Sequence, residues 1–361
     1  MKVKIGELTK IKTGKLDANA ASEDGQYPFF TCSREPLKIS TYSYDCECVL
    51  VAGNGDLNVK YYNGRFDAYQ RTYIIEDNGS GKLYMPYLYY FMEDYIEELR
   101  KQAIGGVIKY IKLGNLTDAM IELPSINEQK SIVDILEKAK KILDKRNKEI
   151  SALGNLIKAR FVEMFGSIHK STEYPYVAVK DLTDVISGGT PSRDKAEYWE
   201  DGTIPWVKTT ELQNNIIVNV DEYITEAGLN GSSAKLVPVG TVLVAMYGQG
   251  KTRGMTAYLN IEACTNQACA CILPSDKIDS MFMWKFFELS YEKIRSLAQG
   301  AGQPNLNGNM IKSFQVLVPP IELQKEYVDF VHQVDKSKVV VQKALDETQI
   351  LFNSLMQQYF G

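Results

Sequence analysis

The strongest constraint on this chain is a long segment that occurs twice. Residues 123–166 align without a gap on residues 318–361, at a constant offset of about 195 residues. The matching positions include Pro124 with Pro319, Ile126 with Ile321, Gln129 with Gln324, Val133 with Val328, Leu156 with Leu351 and Phe165 with Phe360. An internal repeat of this kind predicts that one chain contains two copies of the same structural unit.

Both copies are predicted to be long helices. Their seam residues recur in alternating steps of three and four, which is typical of a coiled coil. In the first copy the seam is Ile132, Leu136, Ala139, Leu143, Arg146, Ile150, Leu153, Ile157, Arg160 and Met164; in the second it is Tyr327, Val331, Val334, Lys338, Val341, Leu345, Thr348, Phe352, Leu355 and Tyr359. Each copy starts near a proline and ends at a glycine, which are expected stop signals. At about 1.5 Å per residue, each helix is roughly 55–60 Å long.

Two equal helices in one chain can bury both seams by packing against each other. The seam continues over about five heptads, which favours this pairing. The alternative is two separate surface helices on independent domains.

Length and charge limit the class of protein. A chain of 361 residues has room for two ordinary domains. A net charge of -4 gives no support for nucleic-acid binding by bulk attraction, although a local basic face is compatible with it. Residues 1–10 are charged and lack the apolar core of a signal peptide, and no apolar run approaches the length of a membrane span. We therefore expect a cytoplasmic protein without a membrane segment.

The cysteines do not form a recognisable metal motif. They lie at positions 32, 46, 48, 264, 269 and 271, with no C-x-x-C spacing, and the chain has 2 histidines. This pattern disfavours a zinc site and predicts reduced, buried thiols.

The regions that precede the helices share a plan of short β-like runs followed by a helix. In residues 1–122, glycine, asparagine and aspartate separate the runs, and a helix is predicted over 85–102. In residues 167–317, Val242–Ala245 matches Val49–Ala52, and a predicted helix over 281–298 places Arg295 on Arg100. The sequence therefore predicts an α+β protein with β-rich domains at 1–122 and 167–317, alternating with long helices at 123–166 and 318–361.

Several short motifs resemble those of a known family. They are Gly189-Thr190-Pro191-Ser192, Tyr198-Trp199, Ile204-Pro205-Trp206-Val207-Lys208, Asn266-Gln267-Ala268, Gln303-Pro304-Asn305-Leu306, Val318-Pro319-Pro320 with Gln324, and Leu123-Pro124 with Glu128-Gln129. Their order along the whole chain resembles the specificity (S) subunit of type I restriction–modification systems. The first domain departs from the pattern: it lacks the Gly-Thr-Pro-Ser and Pro-Trp segments, and Tyr69-Gln70 stands where the second domain has Asn266-Gln267.

The resemblance implies that this chain recognises DNA and that partner subunits carry out the catalysis. Each β-rich domain would be a target recognition domain that reads one half of a bipartite site in double-stranded DNA. The long helices would pack as an antiparallel coiled coil, so that the internal repeat is pseudo-twofold. Two methylation subunits and the restriction subunits would dock on this frame. S-adenosylmethionine, ATP and Mg²⁺ would belong to those partners, and this chain would hold no cofactor or metal and catalyse no reaction.

The side-chain types in the predicted turns indicate candidate DNA-contacting residues. Arg, Lys, Asn and Gln read base edges, and cations, hydroxyls and backbone amides bind phosphates. The candidates in the first domain are Ser33, Arg34, Asn54, Lys60, Tyr61, Arg65, Tyr69, Gln70 and Arg71; in the second they are Ser192, Arg193, Lys208, Thr209, Gln249, Lys251, Arg253, Asn266 and Gln267. Each could instead be a solvated loop residue, and Asn266-Gln267 could be a buried structural pair.

Rival functions lack parts of their motifs. Gly248–Thr252 suggests a phosphate-binding loop, but Ala245 stands where that motif needs glycine, and a β-like run follows instead of a helix. The Pro319-Pro320 pair heads a helix rather than a methyltransferase motif, and no G-x-S-x-G is present. Two non-catalytic alternatives stay open. One is a protein-interaction scaffold with two β-rich modules on a coiled-coil spacer, and the other is the specificity component of a restriction–methylation enzyme outside type I.

Overall fold

The computed structural model describes residues 1–248, 250–299 and 304–361, and this part of the chain divides into two compact units. Unit 1 comprises residues 1–149 and 341–361, and unit 2 comprises residues 150–340. The α-helices of the described residues are α1 (Ile5–Leu8), α2 (Met85–Gln102), α3 (Leu113–Thr117), α4 (Ile126–Phe165), α5 (Val179–Leu182), α6 (Glu226–Asn230), α7 (Ser280–Leu289), α8 (Tyr291–Ser296), α9 (Gly308–Ser313) and α10 (Ile321–Phe360).

The strands are short and lie between these helices. In unit 1 they are β1 (Lys2–Lys4), β2 (Thr9–Thr13), β3 (Tyr27–Phe30), β4 (Leu37–Ile39), β5 (Tyr44–Ala52), β6 (Val59–Ala68), β7 (Thr72–Asp77) and β8 (Met120–Glu122). In unit 2 they are β9 (Tyr176–Ala178), β10 (Val185–Ser187), β11 (Ile204–Val207), β12 (Asn215–Ile217), β13 (Glu222–Ile224), β14 (Val242–Ala245), β15 (Thr256–Leu259), β16 (Cys264–Thr265), β17 (Cys269–Ile272) and β18 (Gln315–Leu317). Short 3₁₀ turns lie at Ala18–Ala20, Ala196–Tyr198 and Thr209–Glu211.

The main sheets of the two units contain the same antiparallel core. Its strand order is β2-β7-β5-β6 in unit 1 and β10-β17-β14-β15 in unit 2. The predicted match between Val49–Ala52 and Val242–Ala245 is confirmed, because β5 and β14 occupy the same place in this order. A small antiparallel pair accompanies each sheet: β1 with β8, and β9 with β18. The repeat thus includes the β-rich regions as well as the helices.

Unit 2 has a separate three-stranded sheet, β13-β11-β16, whose equivalent in unit 1 is the β4-β3-β6 part of the six-stranded sheet. Strand β11 pairs antiparallel with β13 and parallel with β16, just as β3 pairs antiparallel with β4 and parallel with β6. The expectation that the first domain lacks this segment is therefore corrected in part, because Pro28-Phe29 of β3 stands where unit 2 has Pro205-Trp206. Trp206 of β11 is buried with Ile224 and Cys264.

The long helices pair in the antiparallel sense. In unit 1, Val133 and Leu136 near the beginning of α4 share a core with Met356 near the end of α10. In unit 2, Phe161 and Phe165 near the end of α4 pack on Tyr327 near the beginning of α10, with ring centroids 5.5 and 5.8 Å apart. Every predicted seam residue is buried or half-buried, which confirms the coiled-coil pattern of the sequence.

The ends of α4 follow the expected capping chemistry. Ser125 precedes the helix, and the Glu128 carboxylate accepts hydrogen bonds from the Ser125 backbone N–H (2.8 Å) and hydroxyl (2.6 Å). Gly166 ends the helix with a φ of 76°, a conformation that favours glycine.

The helix predicted over 281–298 is two helices. The chain bends at Ser290, whose backbone N–H donates to the carbonyls of both Phe286 (3.0 Å) and Phe287 (3.1 Å), and α8 begins at the next residue. The first-domain prediction over 85–102 is confirmed by α2. No helix within residues 1–248, 250–299 and 304–361 combines the length and apolar character that a bilayer span requires.

Candidate nucleic-acid interface

The loops at one end of the unit 1 sheet collect most of the first-domain candidates. Ala52 at the end of β5 pairs with Thr72 at the start of β7, so the turn after β5 and the turn before β7 are neighbours. The Gly53 N–H donates to the Arg71 carbonyl (2.8 Å), and the Asn58 amide donates to the Cys32 carbonyl (2.9 Å). We call residues 31–34, 53–58 and 69–71 loop cluster 1. It contains the candidates Ser33, Arg34, Asn54, Tyr69, Gln70 and Arg71.

The cations in and next to loop cluster 1 differ in whether their side chains already have partners within the chain. The Arg34 guanidinium pairs with Asp56 (3.0 Å) and keeps the pKa of that carboxyl below its ordinary value. Lys60 follows the cluster and donates a hydrogen bond to Asn58. Arg71 is exposed, and its side chain makes no hydrogen bond or ion pair with the described residues. Arg71 is therefore ready to receive an anion.

Tyr61 and Arg65 lie on the β5–β6 ladder, outside loop cluster 1. The Arg65 guanidinium pairs with Asp45 (3.1 Å) at the far end of that ladder from Val59 and lies 4.9 Å from the centre of the Tyr42 ring. Tyr61 donates to Glu47 (2.7 Å), and its ring centroid is 6.3 Å from that of Tyr89 on α2. Both side chains already have partners within the fold.

Sequence reasoning missed Arg100, which holds loop cluster 1 in place. Its guanidinium donates to the Leu57 carbonyl (3.0 Å) and pairs with Asp56 (3.2 Å). The alignment of Arg295 on Arg100 was a signal for this role, because Arg295 also donates to a loop carbonyl in unit 2, that of Arg253 (2.7 Å). Both arginines position loops that follow equivalent strands.

The corresponding end of the unit 2 sheet collects the second-domain candidates. Ser187 at the end of β10 pairs with Ala270, and Ala245 at the end of β14 pairs with Cys269, so the loops after β10 and β14 flank the turn before β17. We call residues 188–195, 206–209, 246–248, 250–255 and 265–268 loop cluster 2. It contains Ser192, Arg193, Lys208, Thr209, Lys251, Arg253, Asn266 and Gln267; Gln249 lies outside the described residues.

The two glycines of the Gly-Gly-Thr-Pro motif allow two loops of this cluster to touch. The Gly189 N–H donates to the Thr265 carbonyl (2.8 Å). A Cβ on Gly188 would lie 2.2 Å from that same carbonyl oxygen, so a side chain there would separate the loops. The Thr190 hydroxyl then donates to the Gln267 side-chain oxygen. The motif therefore serves close backbone approach.

Arg193 is held in a fixed orientation beside two tryptophans. Its guanidinium lies 3.6 Å from the Trp199 ring centre and pairs with Glu222 (2.6 Å). Trp206 donates its indole N–H to the Gly189 carbonyl (3.0 Å), and the two indoles meet edge to face. Both tryptophans therefore pack within unit 2, and their rings support the planar arginine.

Glu222 joins Arg193 to Lys208. The Lys208 ammonium lies 2.9 Å from Glu222 and 3.6 Å from Asp221. Partial burial works against ionisation of Glu222, but the hydrogen bonds from Lys208 and Arg193 outweigh it and lower the pKa of the carboxyl. The same hydrogen bond raises the pKa of Lys208. Both cations are therefore charged but already neutralised by this chain.

Asn266 and Gln267 differ in exposure. The Asn266 side-chain oxygen is buried without a hydrogen-bond partner among the described residues, while Gln267 is exposed. The Asn266 backbone N–H donates to the Val207 carbonyl (3.0 Å), which fixes the turn next to Trp206. Gln267 is therefore the member of the pair whose side chain is accessible to solvent.

Lys251 and Arg253 lie in a turn after β14, which leads into β15. The Tyr291 hydroxyl donates to the Lys251 carbonyl (2.7 Å), and Arg253 donates to the Pro304 carbonyl. The expected continuation from this glycine-rich segment into a strand is confirmed by β15, and the turn lacks the following helix on which a phosphate-binding loop depends.

The cysteines are free thiols in the described part of the chain. Burial raises the pKa of Cys46, Cys264 and Cys271 to about 11, which disfavours the thiolate that binds metals. Across residues 1–248, 250–299 and 304–361, no three His, Cys, Asp or Glu side chains are grouped as metal ligands.

Known proteins resemble this chain in sequence over much of its length. The family described as "Type I restriction modification DNA specificity domain" matches residues 1–152 and 172–348. The EcoDI specificity subunit of Escherichia coli is 44% identical over 37% of this chain, and the match spans 30% of that relative. The EcoR124I/EcoR124II specificity subunit of E. coli is 22% identical over 76% of this chain and 68% of the relative.

Solved structures share the fold. The S subunit of the type I restriction–modification system from M. genitalium has a TM-score of 0.65 and 16% identity, covering 100% of this chain and 96% of that one. A chain from a study of complex assembly and conformational transition of the type I R-M system has a TM-score of 0.62, also at 16% identity, covering 100% and 97%.

The duplicated antiparallel sheets, the paired helices and the loop clusters thus occur together with family matches over both halves. The chain belongs to the family of type I restriction–modification DNA specificity domains.

Proposed function

We propose that this chain reads a bipartite DNA target as the specificity subunit of a type I restriction–modification complex. The observation that carries the proposal is the duplication of the site: equivalent ends of equivalent sheets carry loop cluster 1 and loop cluster 2. Two different clusters on the same scaffold suit two different half-sites. Phosphate contacts would come from cations such as Arg71 and Lys251, and base contacts from Gln70, Arg193 and Gln267.

The paired helices support a fixed gap between the half-sites. Each helix of 40 residues is about 60 Å long, which corresponds to roughly 15–18 base steps of 3.4 Å. Helices of this length would suit two short half-sites separated by bases that the protein does not read.

Exposed apolar side chains on the helices support docking of methylation subunits. Val339 and Val340 of α10 are about 70% exposed, and Ile135 and Ile142 of α4 are also exposed. These residues lie outside the seam and are exposed to solvent. Contiguous exposed apolar side chains mark protein-binding surfaces, and Val339 and Val340 are adjacent on α10. Restriction subunits would join the complex through the same frame.

The chemistry would belong to the partners. Methylation would draw on S-adenosylmethionine, and translocation and cleavage on ATP and Mg²⁺, in subunits other than this one. The roles left for this chain are binding, orientation and the choice of sequence. It is accordingly proposed as a non-catalytic subunit.

Mapping of methylated adenine in the DNA of cells tests the proposal. One strain expresses the chain with its methylation subunit, and the control strain expresses the methylation subunit alone. We expect a new two-part motif with a constant gap only in the first strain. A stable complex of the two proteins that produces no new motif would contradict DNA reading, and the absence of both complex and motif would favour the interaction-scaffold alternative.

A further inference from the structure

A short hairpin after α2 exposes apolar side chains beside loop cluster 1. The Ile104 N–H donates to the Tyr110 carbonyl (3.0 Å), and the Tyr110 N–H donates to the Ile104 carbonyl (2.8 Å). Between them, Val107 is fully exposed and Ile108 is 63% exposed. We call residues 104–110 the apolar hairpin. An exposed pair of branched aliphatic residues at a loop tip contributes nothing to the core of unit 1.

The apolar hairpin is fixed to loop cluster 1 by backbone hydrogen bonds. The Gly55 N–H donates to the Lys109 carbonyl (3.0 Å), and the Ile111 N–H donates to the Gly53 carbonyl (2.9 Å). Gly105 has a φ of 120°, and a Cβ there would lie 2.6 Å from the Ile108 carbonyl oxygen. The tip is therefore a defined turn, held against the same loops that carry the candidate DNA contacts.

The apolar hairpin and the loop bonded to it carry two exposed cations, Lys109 and Arg71. Lys109 belongs to the hairpin, and its side chain makes no hydrogen bond or ion pair with the described residues, as is also true of Arg71. Gly53, to which Ile111 is bonded, also donates to the Arg71 carbonyl. The nearby carboxylate of Asp56 is neutralised by both Arg34 and Arg100. The surroundings of Val107 and Ile108 are therefore suited to a polyanion rather than to an apolar protein surface.

We propose that the apolar hairpin enters the minor groove of the bound duplex as a wedge, with Val107 and Ile108 against the bases and Lys109 and Arg71 on the flanking phosphates. This inference rests on the proposed function and adds a contact class to it. Proteins that insert aliphatic side chains at a base step partially unstack it and use adjacent cations to hold the backbone. Unit 1 would then select its target by how easily one base-pair step is deformed, as well as by contacts with base edges.

The test uses the complex of the chain with its methylation subunit and a duplex that carries the mapped target. 2-Aminopurine replaces one adenine at a time within the half-site of unit 1, because its fluorescence rises when its neighbour unstacks. We expect a rise at one step with the unaltered chain. The double variant Val107→Ala/Ile108→Ala should abolish that rise and weaken binding about tenfold, from the lost burial of two aliphatic side chains.

A matched control is Leu37→Ala on β4, which also removes an exposed aliphatic side chain of unit 1 and should leave binding unchanged. Thermal unfolding of the double variant should match that of the unaltered chain, because neither side chain packs in the core. Unchanged affinity and fluorescence in the double variant would overturn the wedge and leave the proposed function standing. Loss of the methylation subunit from the double variant would also overturn it, in favour of a protein contact. Failure of the unaltered complex to bind the duplex would instead contradict the proposed function.

Discussion

Gln129 and Gln324 make equivalent buried contacts at the beginnings of the two long helices. The Gln129 side-chain oxygen accepts from the Tyr84 N–H (2.8 Å), and the Gln324 oxygen accepts from the Asp279 N–H (2.9 Å). Tyr84 and Asp279 are the residues that precede α2 and α7. Each glutamine therefore joins the start of a long helix to the start of the helix that covers its sheet.

Replacement of either glutamine by leucine should destabilise its unit. Gln129→Leu leaves the Tyr84 N–H and the carbonyls of Lys82 and Pro124 without partners in a buried place, which costs about 1–3 kcal/mol. The free energy of unfolding, measured by urea titration, checks this. Gln349→Leu on the exposed face of α10 is the control and should change it by less than about 0.5 kcal/mol. If Gln129→Leu and Gln349→Leu changed the free energy of unfolding equally, Gln129 would not join the two helices as inferred.

Arg71 and Arg65 form a matched pair for testing the location of the DNA interface. Arg71→Ala should weaken DNA binding for all sequences and reduce the slope of log K against log salt by about 1, because one phosphate contact is lost. Arg65→Ala removes the same charge from a site already paired with Asp45 and should have a smaller effect. Titration of a labelled duplex at several salt concentrations measures both. A larger loss from Arg65→Ala would move the interface to the far end of the β5–β6 ladder.

Removal of the Glu222 charge should strengthen binding to unrelated DNA. Glu222→Gln frees Arg193 and Lys208 from their carboxylate partner and raises the local positive charge. Because the folded pKa of Glu222 is lowered, its ion pairs are present above the ordinary glutamate range and are lost as pH falls through the folded pKa. The effect of Glu222→Gln on binding should therefore be the same at about pH 6 and pH 8. Weaker binding in the variant would show that Glu222 serves mainly to orient Arg193.

Exposed valines on α10 provide a test of subunit docking. Val339→Asp/Val340→Asp should abolish co-purification of the methylation subunit, since charges would be buried in an apolar contact. Unfolding of the isolated chain should be unaffected, because both side chains are exposed. Val218→Asp, at another exposed valine of unit 2, is the control. Retention of the methylation subunit by the double variant would exclude this surface from docking.

The helix length should set the gap in the target. Insertion of about four residues, one helical turn, between positions 144 and 155, with a matching insertion in α10, should lengthen the gap and leave both half-sites unchanged. Methylation mapping of cells that carry the variant measures the gap. Methylation at the original gap would contradict the spacer role of the helices.

The periodic parts of the chain were predictable, and the parts set by long-range contacts were not. The seam of α4 and α10 and the bounds of α2 follow from apolar spacing within each segment. The break at Ser290 could not be predicted, because the apolar pattern continues through it and the bend depends on local backbone bonding. The pairing of Arg193 with Glu222 joins residues far apart in sequence, so the arginine could be nominated but not its neutralisation. Val107 and Ile108 resemble strand residues, and only the surrounding fold exposes them.

Under the proposed function, the carboxylates of Asp56 and Glu222 would affect how the chain finds its target among unrelated DNA sequences. They occupy cations of both loop clusters with counterions that belong to the protein itself. An unrelated duplex must displace these internal counterions before it gains phosphate contacts, and it offers no base contacts in return. A correct target offers both. If the loop clusters bind DNA as proposed, the ion pairs would weaken random binding more than specific binding, and they would shorten the time that the complex spends on the wrong sequence.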